Sequence, residues 1–204
     1  MAKFTELDAY LTHNRQSQLD QLCELLRIPS ISADRTYEPS LQAAADWMVA
    51  KFQSLGLATQ RLGAAHAPLV YAETPPVSGK PIILVYGHYD VQPPDPLDLW
   101  ISPPFEPQVR DGKLYARGAT DDKGQMLTHV FGLEAFLKSG QPLNCQVKFL
   151  IEGQEESGSE VLAETLPAIT EQLQCDVIVI SDSSQYSKGQ PAITYGLRGI
   201  AYFE

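Results

Sequence analysis

Basic residues are few in this chain. Lys and Arg number 15 against 25 Asp and Glu over 204 residues, a net charge of −10 with histidine neutral. So acidic a surface does not neutralise phosphates, which argues against nucleic acid as a main partner. Long apolar runs are missing too: the strongest, residues 82–86 and 177–180, fall far short of the roughly 18 to 20 residues a membrane span needs. The opening MAKFTELDAY has no basic stretch followed by an apolar one, so no secretory signal is visible and the cytoplasm is the expected location. Cysteine is sparse: Cys23, Cys145 and Cys175 are odd in number and show no CxxC spacing. That disfavours a disulfide framework or a thiolate zinc site, and the three are read as reduced, structural cysteines. Internal repeats and low-complexity tracts are absent as well.

What the chain does have is 44% hydrophobic and 9% aromatic residues, enough for a real core. Leucines near helical spacing predict a helix over residues 5–26, stopped by Pro29. A second helix is expected from Ser40, as N-cap, to residue 55, with Gly56 just past its end. Short β-like runs at 59–62 and 69–73 precede the apolar runs 82–86, 147–151 and 177–180. Continuous apolar runs suggest strands buried on both faces, as in a parallel sheet covered by helices. Helical patterns at 123–139 and 159–173 separate them, and the alternation predicts an α/β domain with a mostly parallel mixed sheet flanked by helices. Between residues 91 and 108, six prolines with Trp100 and Phe105 predict an ordered loop.

In open parallel sheets, ligands bind beyond the carboxyl ends of the strands. Gly87, His88, Tyr89 and Asp90 follow the first apolar run, Glu152 to Glu156 the second, and Ser181 and Asp182 the third. If these strands are adjacent, His88, Asp90, Glu155, Glu156 and Asp182 converge on one edge, and so much negative charge calls for a cation. One imidazole with several carboxylates suits zinc, with manganese or cobalt as alternatives, and points to a metal-dependent hydrolase. Any one of these residues alone reads as a turn residue or cap; three such strand ends together are harder to dismiss. His13, His66 and His129 have bland contexts. Asp121 and Asp122 precede a helix, and Asp122 reads as a cap of its exposed N–H groups.

The segments LLRIPSIS (25–32), GHYDVQP (87–93), DGKLYARGATDDKG (111–124), EGQEESGSE (152–160), Ser181-Asp182 and TYGLRG (194–199) together resemble the carnosinase-like dipeptidases. These belong to the dinuclear-metal peptidases and deacylases that include aminoacylase, acetylornithine deacetylase and glutamate carboxypeptidase. The resemblance implies two divalent ions: His88 and Asp182 on one, Asp121 bridging, Glu156 on the other. It further implies Glu155 as general base, Asp90 orienting the His88 ring, and a cis peptide bond between Asp121 and Asp122. Family members run to about twice this length, with a lid domain that often mediates homodimerisation. Residues 1–196 are therefore expected to form an incomplete catalytic domain of a zinc-peptidase fold, and 197–204 the start of a lid. The expected activity is hydrolysis of dipeptides or related N-acyl amino acid amides, impaired because the second ion lacks its last ligand. A non-catalytic metal-binding fragment or pseudoenzyme needing a second polypeptide is the alternative. A phosphatase or nuclease is weaker, for want of a basic phosphate clamp.

Overall fold

The apolar periodicity of the opening stretch is realised as helix α1 (Thr5–Leu26), which buries Leu7, Leu25 and Leu26. The computed structural model describes residues 4–187, 189, 190, 192–199 and 201. Helix α2 (Glu38–Ser54) begins three residues before the expected start: its N-cap is Tyr37, not Ser40, because Pro39 takes a first-turn position where no N–H is required. Gly56 follows the helix at φ +80°, a conformation that favours glycine.

Strands β1 (Ala58–Leu62), β2 (Leu69–Glu73) and β3 (Ile82–His88) come next, followed by the proline-rich loop. There Trp100 donates to Pro94 O at 2.7 Å and the Arg117 guanidinium lies 5.5 Å from its ring centroid, which orders the loop as expected. A hairpin of β4 (Gln108–Arg110) and β5 (Lys113–Tyr115) ends it, and sequence reasoning missed this element. Its signal was Asp111-Gly112, which sit at φ 49° and 70° as a two-residue turn with left-handed central residues demands.

Helix α3 (Lys123–Ser139), strand β6 (Gln146–Glu152), helix α4 (Glu160–Ile169) and strand β7 (Val177–Ile180) complete the order. Helix α4 stops four residues short of the expected end at 173. The carbonyls of Gln172 and Gln174 are held instead by the Lys148 ammonium, at 2.7 and 2.9 Å.

The sheet runs β1-β2-β6-β3-β7, with β3, β6 and β7 parallel and β2 reversed between β1 and β6. The α/β expectation holds. Met48 and Phe52 of α2 pack on one face against Phe149, whose ring centroid lies 4.8 Å from that of Phe52. Met126, Leu127 and Val130 of α3 are also buried in this core. Burial of β7 does not follow the sequence reading: Val177, Ile178 and Ile180 are 51, 58 and 60% exposed, because among the described residues β7 is an edge strand paired only with β3. From β3 the chain crosses to β6 on one side and then to β7 on the other. The carboxyl end of β3 therefore lies where the strand order reverses, the crevice position of open α/β sheets.

Candidate metal centre

His88 ends β3 and is fully buried. Its Nδ1 lies 3.1 Å from the carbonyl oxygen and 3.3 Å from Oδ1 of Asp90, so a proton on Nδ1 satisfies this side and Nε2 faces the other way. Nε2 is buried without a hydrogen-bond partner, yet it faces Asp121 Oδ1 at 3.2 Å, Asp182 Oδ2 at 3.5 Å and Glu155 Oε2 at 4.0 Å. One ligand atom each from His88, Asp121 and Asp182 all lie within 4.8 Å of one another. Three separate segments supply them: the end of β3, the turn before α3 and the residue pair after β7. The Asp121–Asp122 peptide bond is cis.

Asp90, also fully buried, does more than orient the imidazole. Its two oxygens accept the backbone N–H groups of Glu155 at 3.2 Å and Glu156 at 3.1 Å, fixing the turn that follows β6. Gln92, which sequence reasoning passed over, donates from Nε2 to the Glu156 carboxylate at 2.8 Å and to its carbonyl at 3.2 Å. Glu156 thus stands apart from the His88–Asp121–Asp182 group, although its charge and that of Asp121 act on one another.

Asp122 corrects the expectation of a capping role. It occupies the N-cap position of α3 but makes no side-chain cap bond; its buried carboxylate accepts the His88 N–H at 3.2 Å. The neighbouring Gly87 leaves room for it, since a Cβ there would stand 2.6 Å from Asp122 Oδ2 and 3.0 Å from Met126 Cγ. Lys123 is buried as well, and its ammonium caps the end of α1 through Leu25 O at 3.0 Å and Ile28 O at 2.8 Å. Behind the turn, Glu152 accepts from the Tyr86 hydroxyl and from Ser159 Oγ.

Proton affinities follow from this crowding. Burial works against a charged His88, but the hydrogen bond and charge of Asp90, with Asp122 and Glu155 beyond, lift it to about 10. Burial raises Asp122 to about 7, against the opposing pull of His88. Glu155 is raised by burial first and by the charges of Glu156, Asp182 and Asp90, while His88 works against the shift. Glu156 is likewise raised by burial, with Gln92 opposing. A buried imidazole nitrogen without a partner, ringed by carboxylates, is a donor set that fits a divalent borderline cation.

His66 and His13 belong to none of these contacts. His129 lies on α3, half-buried, with a pKa lowered by burial. The three cysteines are free and half-buried. Among the described residues, no helix is long and apolar enough to cross a membrane.

Comparison with known proteins places this arrangement. The profile of peptidase family M20/M25/M40 matches residues 84–196. A Cys-Gly metallodipeptidase of Schizosaccharomyces pombe is 33% identical over 90% of this chain and 41% of its own length. A human Beta-Ala-His dipeptidase is 38% identical over 88% of this chain and 35% of its own length. The chain therefore spans about two-fifths of the length of such relatives. The crystal structure of human carnosine dipeptidase 1 superposes with a TM-score of 0.84 at 30% identity, over 90% of this chain and 42% of that one.

Proposed function

Because this chain belongs to peptidase family M20/M25/M40, we propose that it carries metal-dependent hydrolysis of dipeptides or related N-acyl amino acid amides. His88, Asp121 and Asp182 would hold one divalent ion, and Asp121 with Glu156 a second, zinc foremost. The observation that carries this reading is the buried, unpartnered Nε2 of His88 facing two carboxylates across the strand crossover. A divalent ion held there supplies Lewis acidity toward a scissile carbonyl.

Glu155 is the general base. It sits at the open side of the group, its side chain 39% exposed, and its raised proton affinity suits a residue that takes a proton from water and returns it to the leaving amine. Asp90 fixes both ends of this chemistry, holding the imidazole through Nδ1 and the Glu155 main chain through its N–H. Dipeptides of the kinds named for the relatives, Cys-Gly and β-Ala-His, are the substrates to try first.

The second ion is the weaker one. Among the described residues only three ligand side chains converge, and Glu156 is engaged by Gln92. Turnover by this chain is accordingly impaired, and residues 1–196 act as part of a catalytic domain. Calorimetric titration with zinc, paired with a dipeptide assay, tests the reading. One tight ion per chain is expected, lost in His88→Ala and Asp182→Ala, whereas Glu155→Gln keeps the ion and loses a further 10² to 10⁴ or so in rate. Unchanged zinc binding in both ligand variants would falsify the assignment. Tight binding without any hydrolysis would favour the non-catalytic alternative.

A further inference from the structure

We propose that Asp122 is a positioning residue that holds the His88 main chain, and with it the imidazole, in place for a divalent ion. This rests on the metal site proposed above and goes beyond its ligands and the Asp90 contact.

The argument begins with the sheet register. Tyr89 N donates to Glu152 O on β6, so the His88 N–H, one residue earlier, faces the β7 side. There the pairing of β3 with β7 ends at Tyr86 and Ile180, two residues too soon to supply an acceptor. Asp122 Oδ2 takes that place at 3.2 Å, although it comes from the start of α3. Asp122 is only 1% exposed and its Oδ1 has no partner, so the carboxylate stays buried for one hydrogen bond where an N-cap bond was within reach of the sequence. Space has been kept for it: the Cβ of any residue but glycine at position 87 would intrude to 2.6 Å of Oδ2. His88 is thereby held at two ends by two buried carboxylates, Asp90 on the ring and Asp122 on the backbone. A ligand fixed at the ring alone could still swing with the last residues of the strand; fixed at both, it meets Asp121 and Asp182 in one orientation. Groups that orient metal ligands in this way typically contribute about 10- to 100-fold in affinity.

The test uses the 204-residue chain and Co²⁺, read by its visible absorption and by calorimetry, with thermal midpoints of the metal-free variants as a folding control. Asp122→Ala is expected to weaken Co²⁺ binding about 10- to 100-fold and to speed hydrogen exchange at the His88 amide in the metal-free chain. Asp122→Asn keeps an acceptor oxygen and is expected to retain affinity within about threefold, with the His88 amide still protected. Gly87→Ala, whose Cβ would meet Asp122 Oδ2 at 2.6 Å and Met126 Cγ at 3.0 Å, should weaken binding more in the native background than in the Asp122→Ala background. His88→Ala runs alongside: if it leaves Co²⁺ binding intact, the site reading itself fails. If His88→Ala abolishes binding while Asp122→Ala leaves both affinity and amide protection unchanged, this inference alone fails. A loss in Asp122→Asn equal to that in Asp122→Ala also overturns it, because charge and not the backbone clamp would then be at work. Should Asp122→Ala not fold, Asp122→Asn and Gly87→Ala still decide through amide protection and affinity.

Discussion

Strand β7 is the more uniformly apolar of the two outer parallel strands, Val-Ile-Val-Ile against Gln-Val-Lys-Phe-Leu-Ile-Glu in β6, yet β6 is the buried one. All seven residues of β6 are buried, including Gln146, Lys148 and Glu152, whereas three of the four in β7 are more than half exposed. The difference is position in the sheet. β6 lies between β2 and β3 and under helices, while β7, among the described residues, pairs with β3 alone and borders apolar grooves of about 820 and 500 Å³ on the two faces of the sheet. Hydropathy states what a strand can bury; its neighbours decide whether it does. The polar residues of β6 tolerate burial because each has partners: Lys148 the carbonyls of Gln172 and Gln174, Gln146 the Glu73 carboxylate and Thr74 O, and Glu152 the hydroxyls of Tyr86 and Ser159.

The contrast is broken most directly at Phe149. Truncating this fully buried ring in Phe149→Ala should destabilise the chain by about 3 to 5 kcal/mol in urea unfolding, since it removes the contact with Phe52 and leaves a cavity. A loss below about 1 kcal/mol would mean that the β6 side is no better packed than the β7 side.

Strand β3 stands between the two, and its last residue reports on the junction through pH. In the metal-free chain the His88 pKa is raised from 6.5 to about 10, so the stability this gives is fully present below 6.5 and is lost as pH rises through about 10. Asp122, raised from 3.8 to about 7, acts in the same direction at lower pH. An incoming ion must displace the His88 proton, so zinc affinity should climb with pH across the neutral range by up to about tenfold per unit, while metal-free stability falls. Calorimetry at a series of pH values measures the first trend and thermal unfolding the second. A zinc affinity flat between pH 6.5 and 8 would remove His88 from the ion.

The smallest effect belongs to β7 itself. Ile178→Thr, at a position 58% exposed, should change stability by no more than about 0.5 kcal/mol in the same urea assay. A cost comparable to that of Phe149→Ala would show that β7 is covered in solution.

Read by itself, the sequence determined the main helices and the strands of the large sheet, but not the β4–β5 hairpin, and it marked the sheet edge where the candidate site lies. Period-3.6 leucines set α1, apolar runs set β3, β6 and β7, and the residues just past those runs marked the edge where His88 and Asp182 meet, while Asp121, in the turn before α3, was pointed to only by the family resemblance. These features are local, governed by spacing along one stretch of chain. Tertiary structure decided what depends on two stretches at once. It put Asp122 on the His88 backbone and not on its own helix, turned Glu156 toward Gln92, gave Asp90 two further N–H groups to hold, and left β7 at an edge. A carboxylate close to several donors takes the one that folding brings to the right distance in a dry setting, and only strand order and register fix that distance.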